Sequence, residues 1–295
     1  MENSQKNTQC LQLCAFLNNY KRNSPRALLY YHNTYSQLNV YAFKENKLTK
    51  LLVTGMNIDE YTLYFTIQIA LQVFLNGGTT GEKSTNNNYS LTYDYKMPSI
   101  TELAAKIETP MKIERFSHSG CEYETCLFVN GGVGEPSSKS AEIYDVKKET
   151  WADLPSTTHD YNMHSVFSMK KKIITLSQIN TEIKAEMLNM KTSTWKVLSI
   201  TGSVGSLEEP GLALCVGINS FIYFGEGNYG LGVLSGENVE FRNSMKMDDK
   251  FFMFRQSPPP IQANDDIYCE SWYRNIFRFK KDFNNWKNLL DINEA

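Results

Sequence analysis

The chain has little of what most function classes require. Its four histidines, at 32, 118, 159 and 164, stand apart from one another among 295 residues. Its six cysteines, at 10, 14, 121, 126, 215 and 269, form no Cys-x-x-Cys pair. That spacing gives no zinc constellation, and it reads as a set of free, reduced thiols. No metal and no cofactor is expected. No apolar run approaches about 20 residues, so a membrane-spanning helix is not expected. The longest candidate, YTLYFTIQIALQVFL (61–75), carries polar residues throughout and reads as two adjacent strands. Basic clusters are also scarce. Thirty Lys and Arg balance 32 Asp and Glu, the net charge is −2, and the longest basic run is Lys170 to Lys172. Nucleic acid is therefore a poor partner. The N-terminus lacks the basic start and continuous apolar core of a secretory leader. Cytoplasmic residence follows, with association to the cytoskeleton as a further expectation.

Aromatics are not scarce. They make up 13% of the chain within a hydrophobic content of 41%, a composition that suits β-strands around a large core. One stretch, FLNGGTTGEKST (74–85), looks at first like a phosphate-binding loop. Such a loop needs Gly-Lys-Ser/Thr and a following helix whose N-terminus faces the anion. Here Glu82 separates Gly81 from Lys83, and the next residues, TNNNYSLTYDYK, read as a polar loop and a strand.

The stretch belongs to a repeat. VFLNGG (73–78) recurs as LFVNGG (127–132), and each is followed by a polar loop and then SLTYDYK (90–96) or AEIYDVK (141–147). Eroded copies are LLYYHN (28–33), IITLSQ (173–178), IYFGE (222–226) and IYCESW (267–272). A second signal is a step of seven between bulky apolar residues. It joins Tyr144 to Trp151, Leu188 to Trp195, Phe279 to Trp286, Tyr93 to Ile100 and Tyr41 to Leu48. That step fits two strands joined by a tight polar turn. The fifth unit, around ENVEFRNSMKM (237–247), breaks the rule. Repeats of this length are the propeller class, in which units bury their faces only against one another.

The pattern resembles the kelch repeat. The residues that carry the resemblance are Gly77, Gly78, Gly131, Gly132, Tyr93, Asp94, Tyr144, Asp145, Trp151, Trp195 and Trp286, with Arg115 and His118 also suiting the pattern. The resemblance implies an all-β fold, a six-bladed β-propeller with four antiparallel strands per blade. It would be a single domain over 1–295, with blades near 10–53, 60–106, 113–156, 164–199, 211–247 and 250–291. It leaves no room for a BTB or F-box domain. Glycine after the second strand supplies a positive φ, and the tyrosine and tryptophan supply flat area for the wedges between blades.

The resemblance implies a non-catalytic scaffold that binds a protein partner. The alternatives are a structural subunit of a large cytoskeletal or ciliary assembly, and a propeller enzyme of glycan hydrolase or oxidase type. For an enzyme, Glu82, Glu135, Glu226 and Asp265–Asp266 are the acids near strand ends, and Tyr30, Tyr31 and His32 are the possible copper ligands. No catalytic residue is assigned. Loops on a rigid scaffold are where recognition concentrates. The loops between second and third strands therefore give Lys83, Asn86, Glu135, Tyr229, Trp272, Tyr273 and Arg274 as the partner-contacting residues. Lys112 and Asp160, in the links between blades, are expected on the opposite face.

Overall fold

The computed structural model describes residues 27–32, 37–42, 47–56, 65–69, 72–80, 83–93, 102–179, 182–202, 212–224, 228–246, 261–263, 266–270, 275–280 and 286–291. Among them every regular element is a strand. The first sheet holds β1 (Ala27–His32), β2 (Gln37–Ala42) and β3 (Lys47–Thr54). Next come β4 (Phe65–Ile69) and β5 (Gln72–Asn76), a small hairpin of β6 (Thr79–Thr80) and β7 (Lys83–Ser84), then β8 (Asn88–Thr92), β9 (Glu102–Ala104) and β10 (Lys106–Ile107). A third sheet runs in simple order through β11 (Ser119–Tyr123), β12 (Cys126–Asn130), β13 (Ala141–Asp145) and β14 (Thr150–Leu154).

The fourth set is β15 (Ser165–Met169), β16 (Lys172–Ile179), β17 (Glu182–Asn189) and β18 (Thr194–Thr201). The fifth is β19 (Leu212–Cys215), β20 (Ser220–Phe224), β21 (Asn228–Ser235) and β22 (Asn238–Lys246). These two sets fuse into one eight-stranded sheet, because β18 pairs in parallel with β22. The last set is β23 (Ile261–Ala263), β24 (Asp266–Glu270), β25 (Asn275–Lys280) and β26 (Trp286–Asp291). Consecutive first strands lie side by side, β4 against β11, β11 against β15 and β15 against β19. Repeated antiparallel sheets in this order make a propeller-like fold.

Every run read as a second strand lies in a strand, and β5, β12, β16, β20 and β24 are each the second strand of their set, whereas β1 is the first described strand of its sheet. Among those whose side chains are described, these strands are apolar at every other residue and at the residues between, because both their faces are covered. Alternate side chains enter opposite seams. Val73 and Leu75 join Leu51 and Val53 of the first sheet, while Phe74 joins Leu127, Val129, Tyr144 and Trp151 of the third. Phe128 joins Val166, Ile173 and Leu188. The last described seam holds Phe167, Ile174 and Leu176 against Phe221, Tyr223 and Phe241. Among the described residues each core cluster lies between two units and none within one, as units that cannot stand alone require.

The step of seven is a cross-strand pair. Tyr144 faces Trp151, Leu188 faces Trp195, Phe279 faces Trp286 and Tyr41 faces Leu48. For the Tyr93 to Ile100 step, Ile100 lies outside the described residues. In the second unit Leu91, not Tyr93, stands opposite Val73, as Tyr144 stands opposite Leu127. The displacement is two residues, so Tyr93 keeps its face and stays buried in the seam with Leu51 and Leu91. The outer edge of this unit is also split. β9 leaves it to pair in parallel with β3, and β10 returns to pair with β8. In the last unit the first strand is β23, whereas the expected run 250–256 lies outside the described residues. The expected strand at 10–17 lies outside them too.

Candidate loop and linker face

In the second and third units two segments meet at one end of the sheets: the loop between second and third strands, and the linker that leads to the next first strand. Residues 108–118 form such a linker. Met111 N–H donates to Asn86 O at 2.9 Å, Arg115 N–H to Thr85 O at 3.0 Å, and Gly78 N–H to Arg115 O at 2.9 Å. The next linker repeats this. Gly132 N–H donates to Tyr161 O at 2.8 Å and Tyr161 N–H to Ser138 O at 2.8 Å. Lys112 and Asp160 therefore belong to the same face as the loops, not the opposite one. A four-stranded antiparallel sheet ends at the level from which its second-to-third loop departs, so link and loop must meet.

The paired glycines explain themselves here. Gly77 and Gly131 have φ of +58° and +71°. A Cβ on Gly77 would stand 2.4 Å from Arg115 O, and one on Gly131 2.4 Å from Tyr161 O. Each glycine lets the loop press directly on the linker.

Buried polar groups hold the same contact from the other side. Glu142, in β13, accepts from Lys112 N–H at 2.8 Å and from the Arg115 guanidinium at 2.7 Å. Arg115 and Glu142 are both fully buried, and the same guanidinium donates to Gly131 O at 2.7 Å. Burial draws the Arg115 pKa below its usual value, against the raising effect of Glu142. Glu186, at the matching place in β17, accepts from Thr158 N–H and His159 N–H at 2.9 Å each. The histidines recur in register as well. His118 Nε2 lies 2.7 Å from Asn76 Oδ1, and His164 Nε2 lies 2.9 Å from Asn130 Oδ1. Each such pair ties the end of one second strand to the start of the next first strand. Burial, with the Arg115 charge second, pushes the His164 pKa down to about 3, so the ring is neutral.

Tyrosine and tryptophan clamp the seams. Trp151 Nε1–H donates to Thr109 O at 2.9 Å, and Trp195 Nε1–H to Pro155 O at 2.7 Å. Trp151 is buried and Trp195 is half-buried. Trp286 lies in β26, and its surroundings fall outside the described residues. Tyr144 Oη–H donates to Glu108 at 2.9 Å, and Glu108 also accepts from Ser90 Oγ and Lys106 Nζ.

The expected partner-contacting residues separate into groups. Lys83 is exposed in β7, in a hairpin that replaces the helix a phosphate-binding loop would need. Glu135 is exposed in the 133–140 loop. Asn86 is half-buried and donates from Nδ2 to Met111 O at 3.0 Å, which makes it a tether. Tyr229 is buried within β21, its ring 6.5 Å from that of Phe224. The strand pairing runs to Phe224 and Tyr229, which leaves no long loop in that unit. Trp272, Tyr273 and Arg274 lie outside the described residues, as do Glu82, Glu226 and Asp265. Among the described residues no group of three His, Cys, Asp or Glu side chains could hold a metal ion.

The family profile described as "Kelch motif" matches residues 114–158. The chain carries a kelch motif. The match spans the linker with Arg115, the third sheet and Trp151, the part in which glycines, tyrosine and tryptophan all stand in register. No curated protein matches the chain. A kelch motif in a propeller-like fold points, at the general level, to a protein-interaction module. Reading the sequence missed Glu142 with Glu186, and Asn76 and Asn130 with His118 and His164. Their signal was the repeat spacing itself, since His118 and His164 stand 46 residues apart, as do Arg115 and Tyr161.

Proposed function

We propose that the chain is a six-bladed kelch propeller that acts as a non-catalytic, cytoplasmic scaffold and binds a protein partner through its loop and linker face. The observation that carries this reading is the contrast between the loop backbones and their tips. The backbones are pinned to the linkers by repeated hydrogen bonds. The tips present Lys83 and Glu135, exposed and without an ion-pair partner among the described residues. Loops held rigidly with unpaired charge at their tips are suited to recognition.

The test is charge reversal at both tips, Lys83→Glu with Glu135→Lys, followed by copurification from native cells. A stable partner recovered with the unaltered chain should be lost, while the melting temperature stays within about a degree. Undiminished recovery, or turnover of a small substrate by the purified chain, would overturn the reading.

A further inference from the structure

The other end of the sheets carries a feature that the loop face does not explain. β15 and β16 are joined by a two-residue turn, Lys170-Lys171, with φ of +54° and +56°. Two consecutive positive φ values define the mirror-image hairpin turn that strongly prefers Asn-Gly. L side chains rarely adopt that conformation, and this is the only such consecutive pair of non-glycine residues among the described ones. Lysine here works against the turn. Strain retained at a surface position points to a use for the side chains.

The surroundings indicate the use. The register aligns Met169 with Lys172, Lys172 with Asn189, and Asn189 with Thr194, so both hairpin ends of this unit lie in one row. That row brings Lys170, Lys171 and Lys172 beside the turn that holds Lys191. Residues 165–172 and 187–196 contain no acid. None of the four ammonium groups has a carboxylate partner among the described residues, although most other described lysines nearby do, as Lys148 has with Asp145. Exposed hydroxyls of Thr192, Ser193 and Thr194 stand on the same turn.

We propose that this basic end of the fourth unit docks a short acidic segment of a partner protein. Its extent favours a peptide. Four strands span roughly 14 Å, the length of about four extended residues. The net charge of the chain is −2, so its long-range field does not draw in an extended polyanion. Lysines supply the local charge, and the hydroxyls supply hydrogen bonds to carboxylates. The site is independent of the loop face, and charge reversal at Lys83 and Glu135 should leave it intact.

The test uses a fluorescein-labelled hexaglutamate peptide, read by anisotropy, with the full chain. The variant Lys170→Asn/Lys171→Gly installs the residues the turn prefers. It should raise the melting temperature and weaken peptide binding at least tenfold. Lys172→Gln/Lys191→Gln should weaken it in the same direction, and binding to the unaltered chain should fall with salt. Unchanged affinity in the Asn-Gly variant would overturn the proposal. Tighter binding to phosphatidylserine vesicles or to oligothymidylate, lost in the same variant, would overturn the assignment to a peptide. A fall in melting temperature would show that the turn is not strained.

Discussion

The seam between the second and third units can be tested by exchanging its chemistry for that of the next seam. In the first, Tyr144 donates to Glu108, which is only 8% exposed. In the next, the matching positions are Leu188, 44 residues after Tyr144, and Leu154, 46 residues after Glu108, both packed in one apolar cluster. The polar pair has thus been replaced there as a pair. Tyr144→Phe removes one hydrogen bond to a carboxylate that keeps Ser90 and Lys106, and should cost about 1.5 kcal/mol. Glu108→Leu leaves two buried hydroxyls, of Tyr144 and Ser90, without their acceptor, and should cost about 2–4 kcal/mol. With Tyr144→Phe already in place, one of those orphaned hydroxyls is gone. The double variant should therefore be less destabilised than the sum by about 1–2 kcal/mol, a coupling that urea denaturation of the four proteins would resolve. Burial opposes ionisation of Glu108, but the bonds from Ser90, Lys106 and Tyr144 outweigh it and hold its pKa below the usual value. Its contribution is present above the usual carboxylate range and lost as pH falls through the lowered value, so Tyr144→Phe should also soften acid unfolding. Strictly additive energies would refute the reasoning.

The remaining predictions use the same equilibrium measurements. Gly131→Ala forces a Cβ to 2.4 Å from Tyr161 O at a φ of +71° and should cost on the order of 3 kcal/mol; an unchanged denaturation midpoint would contradict the close approach. Trp151→Ala should cost about 3–5 kcal/mol, and Trp195→Ala less, because Trp195 is only half-buried. Equal losses would show that burial does not set the scale. His164 is held neutral by burial, so its contribution is full above the ordinary value of 6.5 and is lost as pH falls toward about 3. His164→Gln, compared with the unaltered chain by urea midpoints across that range, should flatten the decline; parallel curves would argue against a buried neutral ring.

How much of this was legible follows from which interactions leave a local mark. The second strands were legible because burial on both faces makes them continuous apolar runs, and LFVNGG and VFLNGG end on glycines whose positive φ has no substitute. The Tyr144–Trp151 pairing was legible because a hairpin fixes a constant spacing. The position of Tyr93 was misjudged by two residues, because a period-two strand hides a shift of two: the residue stays on its face. The outer edge of the second unit, shared between β9 and β10, left no mark, since parallel pairing with a neighbouring sheet depends on a contact distant in sequence. The linker face was misassigned for a related reason. Lys112 and Asp160 sit far from Asn86 and Ser138 along the chain, and only strand parity brings them together. Of the expected contact residues, Lys83, in β7, and Glu135, in a loop, are exposed. Tyr229 was read as loop because the unit lacks the double glycine that marks where a second strand ends.

An experimental structure of the whole chain tests the central claim most directly. The account predicts that β1, β5, β12, β16, β20 and β24 are related by successive rotations of about 60° around one axis, with Trp286 packed in a seam as Trp151 is. A ring of seven units, or helix over more than about a fifth of the chain, would contradict it.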